Sequence, residues 1–135
     1  MTSASWALQQ AVFAVLSMNG AVRDIADERV FDAVPRGAAF PYIVVGEGGE
    51  ADASTATEKG REHTLEIHVW SRAGGHKEAK LAADAVCEAL DGVLLELDGH
   101  TLVDLRFTTA DYSRESDGET YRAVLRFRAV TEPTA

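Results

Sequence analysis

Between Glu62 and Gly92 the spacing of apolar residues changes period once, and that change marks the centre of the fold. Leu65, Ile67 and Val69 alternate with Thr64, Glu66, His68 and Trp70, the two-residue period of a strand that buries one face. Gly74-Gly75 interrupts the pattern with residues suited to a tight turn. From His76 to Leu90 the period becomes helical: Ala79, Ala82, Ala83, Val86 and Leu90, then Val93, share one face. Lys77, Lys80, Asp84, Glu88 and Asp91 gather opposite. Gly92 stands where a glycine closes a helix C-terminus. A half-buried strand followed by an amphipathic helix is a packing unit, and the rest of the chain is expected to add to it.

Residues 3–18 are expected to form a first helix capped by Ser3 or Ser5. Its wheel has two apolar sides. Leu8, Ala11, Val12 and Val15 make the core stripe, while Trp6 and Phe13 project from nearly the opposite side among Gln9, Gln10 and Ser17. The aromatic pair therefore needs a second cover, either a loop of the same chain or another subunit. Asn19-Gly20 ends this helix, and a short apolar piece at 30–34 leads to a strand over 40–45. Pro41 in that strand belongs at its start or on an edge, since it has no N–H for a ladder. Residues 46–60 (GEGGEADASTATEKG) are small, polar and acidic without periodicity, the pattern of a long mobile hairpin loop. Residues 101–110 alternate again, with Val103, Leu105 and Phe107 on one side. A last strand puts Tyr121, Ala123, Leu125 and Phe127 on one face and Arg122, Val124, Arg126 and Arg128 on the other. The turn-rich Arg114–Gly118 tip joins these two as an antiparallel hairpin. Glu132–Ala135 is expected to fray. The order predicts an α+β fold: a mostly antiparallel sheet of four to five strands with two helices packed on one face.

Length and charge narrow the function more than they alter this fold. The 135 residues suit one domain, and 46% hydrophobic residues suit a packed core. Thirteen basic against 22 acidic residues give a net charge of −9, which disfavours a protein that grips nucleic-acid phosphates or anionic membrane surfaces. No apolar run is long enough to span a bilayer. The first residues lack the basic stretch of a secretory signal, and the single Cys87 allows neither an internal disulfide nor a cysteine-based zinc cluster, so synthesis in a reducing cytoplasm is expected.

Candidate chemistry is sparse. His63, His68, His76 and His100 show neither zincin nor zinc-finger spacing. Glu66 and His68 share a strand face and could act as base and orienter or touch a metal, but the pattern strongly favours a solvent-facing or subunit-facing polar strand face over catalysis. The glycines at 46–49 lack the following Gly-Lys-Ser/Thr of a phosphate loop, and Glu47 and Glu50 would repel phosphate. Leu81 is the one large apolar residue on the polar face of its helix. Arg106, Arg122, Arg126 and Arg128 are expected on the sheet face away from the helices with Glu66, Asp104 and Glu119, forming either a solvated salt-bridged face or a contact for an acidic neighbour. No catalytic residue, metal ligand or cofactor site emerges.

The string LEIHVWSRAGGHKEAKLAADAVCEAL, followed after a leucine-rich link by DGHTLVDLRF, resembles the tail-completion (tail terminator) proteins of long-tailed phages and phage-derived gene transfer agents. The carrying pieces are the Val69-Trp70-Ser71 strand end, the glycine turn, Glu78-Ala79-Lys80, and the closing Asp117-Gly118 hairpin with its arginine-bearing last strand. The N-terminal helix and the Pro41-Tyr42 strand fit the same layout. The resemblance implies a structural protein, made in the bacterial cytoplasm and carried into the particle, that forms a hexameric ring on the head-proximal end of the tail tube. Such a ring stops tube polymerisation and meets a head-side connector protein, while DNA passes through its lumen without specific binding. The subunit contacts would then fall to Trp6, Phe13, Leu81, Glu66, Arg106, Arg122, Arg126 and Arg128. The tube contacts would fall to Glu47, Glu50, Asp52, Glu58 and Lys59 in the 46–60 arm. The resemblance carries no catalytic residues. Two alternatives stay open: another neck protein of the same particle (a stopper or adaptor), or a small oligomeric α+β enzyme or ligand-binding domain using Glu66, His68 and Trp70.

Overall fold

The computed structural model describes residues 3–134. Helix α1 spans Ala4–Met18, with the Ser3 hydroxyl accepting from the Trp6 N–H at 3.2 Å. Its buried side is Ala4, Ala7, Leu8, Val12 and Leu16. The core stripe is thus rotated from the expected one, with Ala11 and Val15 only half-buried at its margin. Asn19 then serves twice, ending α1 and accepting from the Val22 N–H at 3.0 Å to cap a second helix, α2 (Gly20–Ala26). Short strand β1 (Val30–Phe31) follows, then β2 (Tyr42–Asp52), β3 (Arg61–Ser71), α3 (Lys77–Leu90), β4 (Glu96–Leu97), β5 (His100–Arg114) and β6 (Tyr121–Pro133).

The strands form one sheet in the order β1-β2-β3-β6-β5-β4. Every pairing is antiparallel except β1 with β2. The expected class and the central antiparallel pairings therefore stand, with six strands and three helices among the described residues where four to five and two were expected. The additions are small: β1 and β4 have two residues each and α2 seven, too short to leave a readable period. Strands β1 and β4 lie at opposite edges of the sheet, yet both contact α1. The sheet must therefore curl around the helices. Within the curl sit the fully buried Phe127, Ile67, Val69, Val86, Leu90, Val12 and Leu16. At the C-terminus of α3, Gly92 takes a φ of +72° and its N–H donates to the Leu105 carbonyl at 2.8 Å, while the Asp91 carboxylate accepts from the Phe107 N–H at 2.9 Å. The helix end is thereby tied to the β5 edge.

Two expected boundaries move. The stretch 46–60 is not a loop throughout: β2 continues to Asp52, and only 53–60 connects it to β3. Residues 46–52 are exposed on both faces, so no apolar alternation marks them. They are held by backbone pairing with β3, interrupted by a bulge between Val45 and Glu47. At the C-terminus, Glu132 and Pro133 pair with β5 and the Thr134 N–H donates to the Gly99 carbonyl at 3.1 Å, so the expected fraying does not extend to them. Ala135 lies outside the described residues.

Candidate functional site

The sheet face turned away from the helices carries most of the predicted residues. Cross-strand register places Trp70, His68, Glu66, Thr64 and Glu62 of β3 opposite Arg122, Val124, Arg126, Arg128 and Val130 of β6. Arg106 of β5 stands directly opposite Arg128, a like-charge pair that would disfavour the register unless carboxylates intervened. They do. Arg128 Nε lies 2.8 Å from Glu62 Oε1, Arg106 Nε lies 3.0 Å from Asp104 Oδ1, and Arg126 bridges Glu66 at 3.2 Å and Asp111 at 2.6 Å. The Arg128 guanidinium holds the Glu62 carboxyl below its usual range, and Glu62 in return raises Arg128. The arginine stripe is therefore a salt-bridged face in which each arginine has a partner in its own chain. Glu119, expected on this face, pairs instead with Arg72 at the hairpin tip, 3.5 Å away.

Glu66 and His68 are brought together, with His68 Nε2 3.0 Å from Glu66 Oε1. The His68 hydrogen bond, with Arg126 beside it, depresses the Glu66 pKa. A carboxylate held ionised by a histidine hydrogen bond and a neighbouring guanidinium is a structural anchor and a weak base. Among the described residues no group of three or more His, Cys, Asp or Glu could hold a metal ion.

At one end of the same face aromatic rings line up. Tyr42 and Trp70 stack with centroids 6.4 Å apart, Phe40 lies 5.0 Å from Tyr42, and the Arg122 guanidinium sits 5.2 Å over Trp70. Arg122 Nε is buried and lies 3.4 Å from Glu115 without a hydrogen bond.

The helical side offers apolar patches. Trp6 is 48% exposed and Phe13 38%, and with Gln9, Gln10 and Asp32 they line a cleft of about 350 Å³. Leu81 is 49% exposed and lines a second cleft, of about 550 Å³, between α2 and α3 with Ile25, Gly74 and Gly75. Among the described residues no loop fully covers these three side chains, so α1 presents a partly exposed aromatic face opposite its buried stripe. The tube-contact candidates do not gather on one surface. Glu47 lies opposite Glu66 on the outer face, whereas Glu50 lies opposite His63 on the inner one. Glu50 ion-pairs with Arg61 and lies 3.5 Å from His63, Asp52 accepts from the Ser54 hydroxyl at 2.6 Å, and Glu58 and Lys59 belong to the connecting turn.

One residue was missed. His63 is 2% exposed, bonded to the Thr131 hydroxyl at 2.9 Å, and burial lowers its pKa. It stands two residues before Leu65, in phase with the buried alternation, so the signal was present.

The exposed features are thus apolar patches on the helices and a charged, internally paired sheet face, on a small α+β domain with no metal cluster among the described residues. The comparisons give the class its family. The profile of the family described as Tail completion protein gp17 matches residues 10–132, and the chain belongs to that family. The curated Tail completion protein gp17 of Bacillus phage SPP1 is 28% identical over 127 residues, covering 93% of this chain and 92% of its own. A chain in the solved structure titled virion of native gene transfer agent (GTA) particle superposes with a TM-score of 0.91 at 36% identity, covering 98% of this chain and 99% of that one. The resemblance read from the strand, glycine turn and helix is thereby shown, and the protein is a structural tail component of a phage-like particle.

Proposed function

We propose that the protein assembles as a hexameric ring on the head-proximal end of a tail tube, stops tube polymerisation there and joins the tail to the head-side connector. The observation that carries this reading is the near full-length match to a chain of a gene transfer agent virion, together with the tail-completion family. The surface supports it. A ring needs heterologous contacts, made by two different patches on each subunit, and Trp6 with Phe13 and, apart from them, Leu81 supply exposed apolar patches on separate helices. The acidic balance of the chain, −9, suits a channel through which DNA slides without adhering. Glu47, Glu50, Asp52, Glu58 and Lys59 at the β2–β3 tip remain candidates for the tube contact.

The test is tube assembly in vitro. Purified tube protein polymerises with and without this protein, and tube lengths are measured by electron microscopy. Capping predicts shorter tubes, each bearing a ring at one end. Unchanged lengths with no end-bound density would refute it. A stopper or adaptor would bind the connector side and leave tube length unaltered.

A further inference from the structure

Both edges of the sheet leave a length of strand unpaired. On one side β1 pairs with β2 only at Ile43 and Val44. On the other, β4 pairs with β5 only at His100 and Thr101, and the end of α3 reaches β5 only at Leu105 and Phe107. Among the described residues, 47–52 of β2 and 108–114 of β5 therefore have no backbone partner on their outer side. Exposed N–H and C=O rows of this kind are templates for another strand, and natural monomers block them with lysines, prolines or bulges. Residues 108–114 (TTADYSR) have no lysine or proline, their one bulge lies at the Phe107–Thr109 end, and their one carboxylate, Asp111, is turned to Arg126 across the sheet. On the other edge Gly48 and Gly49 remove side-chain bulk, and nothing lies within 4 Å of a Cβ built on Gly49. Strand glycines of this kind mark places where another backbone can approach.

We propose that copies of this chain join edge to edge, residues 47–52 of one subunit pairing as an antiparallel strand with 108–114 of the next. This inference rests on the ring reading above and specifies its contact. Direction supports it. The pairings β2–β3, β3–β6 and β6–β5 are all antiparallel, so β5 runs opposite to β2, and a neighbour's β2 laid on β5 continues the alternation. The two segments differ in length by one residue and occupy opposite edges, which makes the contact head-to-tail and able to close into a ring.

Register supplies a sharp test. Gly49 lies opposite Thr64 on the outer face, the face that also holds Thr109, Asp111 and Ser113, whereas Ala110 and Tyr112 face inward. Particles are prepared from the producing host carrying Cys87→Ser and Gly49→Cys, combined in turn with cysteine at each of positions 109–113. Oxidation is followed by non-reducing gels. Strand pairing predicts a reducible ladder of multimers at 109, 111 or 113 and little at 110 and 112, because directly opposed residues share a face. Particles that contain the protein as a ring yet give no ladder, or equal ladders at all five positions, overturn the strand pairing and leave the ring standing. Absence of the wild-type protein from particles, or its presence there as a monomer, overturns both.

Discussion

Replacing Trp6 and Phe13 together with aspartate should separate assembly from folding. The two side chains are 48% and 38% exposed. With about 200 Å² for a large aromatic side chain, they leave on the order of 170 Å² of apolar surface open. At about 25 cal/mol per Å², covering that surface in a subunit contact contributes about 4 kcal/mol, roughly a thousandfold in the association constant. Aspartate removes this contribution and adds a charge that must be desolvated. The folded monomer, by contrast, should lose less than about 0.5 kcal/mol, the usual range for surface positions, since the buried stripe of α1 is Ala4, Ala7, Leu8, Val12 and Leu16. Two assays divide the effects: urea unfolding followed by circular dichroism for the monomer, and light scattering across concentration for assembly. A fall of several kcal/mol in unfolding free energy would show that the aromatics belong to the core. Unchanged assembly with intact folding would place the interface elsewhere.

Three further outcomes are expected. Phe127→Ala should cost about 3–5 kcal/mol in denaturant unfolding, because the ring is fully buried and packs edge-on to Phe107 at 5.8 Å; a loss under 1 kcal/mol would contradict the placement of the core. Gly48→Ala should destabilise by about 1 kcal/mol or more, since φ is +146° and a Cβ there would stand 2.0 Å from the Thr64 carbonyl oxygen; a neutral result would mean that 46–52 is not paired as described. His63 should make stability fall as pH drops below 6.5. Its folded pKa lies below the unfolded one through burial, so the unfolded chain takes up the proton first and stability is fully present only above the unfolded value. The slope cannot exceed about 1.4 kcal/mol per pH unit for one proton. Unfolding curves from pH 7.5 to 5.5 should show it, and His63→Asn should flatten it; an equal slope in the variant would assign it to other groups.

What the sequence makes legible here follows from length and amphipathicity. The β3–turn–α3 unit and the β5–β6 hairpin each bury one face along many residues, so their periods stand out. The arginine stripe is legible because it shares that period. Helix α2 was hidden because Asn19-Gly20 reads as a stop, while Asn19 also opens a new helix through its side chain. The second half of β2 was hidden because both its faces meet solvent and three of its residues are glycine, so only the backbone ladder specifies it. The tube-contact candidates share a segment of chain but divide between two sheet faces, a separation that strand alternation produces and a loop would not. Glu66 and His68 meet as expected, yet Arg126 arrives from sixty residues away to engage the carboxylate, and no local pattern announces that contact.

The central claim, a terminator at the head-proximal end of a tail tube, is tested most directly by electron microscopy of particles from a host in which this gene is deleted. The account predicts tail tubes of uncontrolled length, or tails lying apart from filled capsids. Normal tailed particles would contradict it.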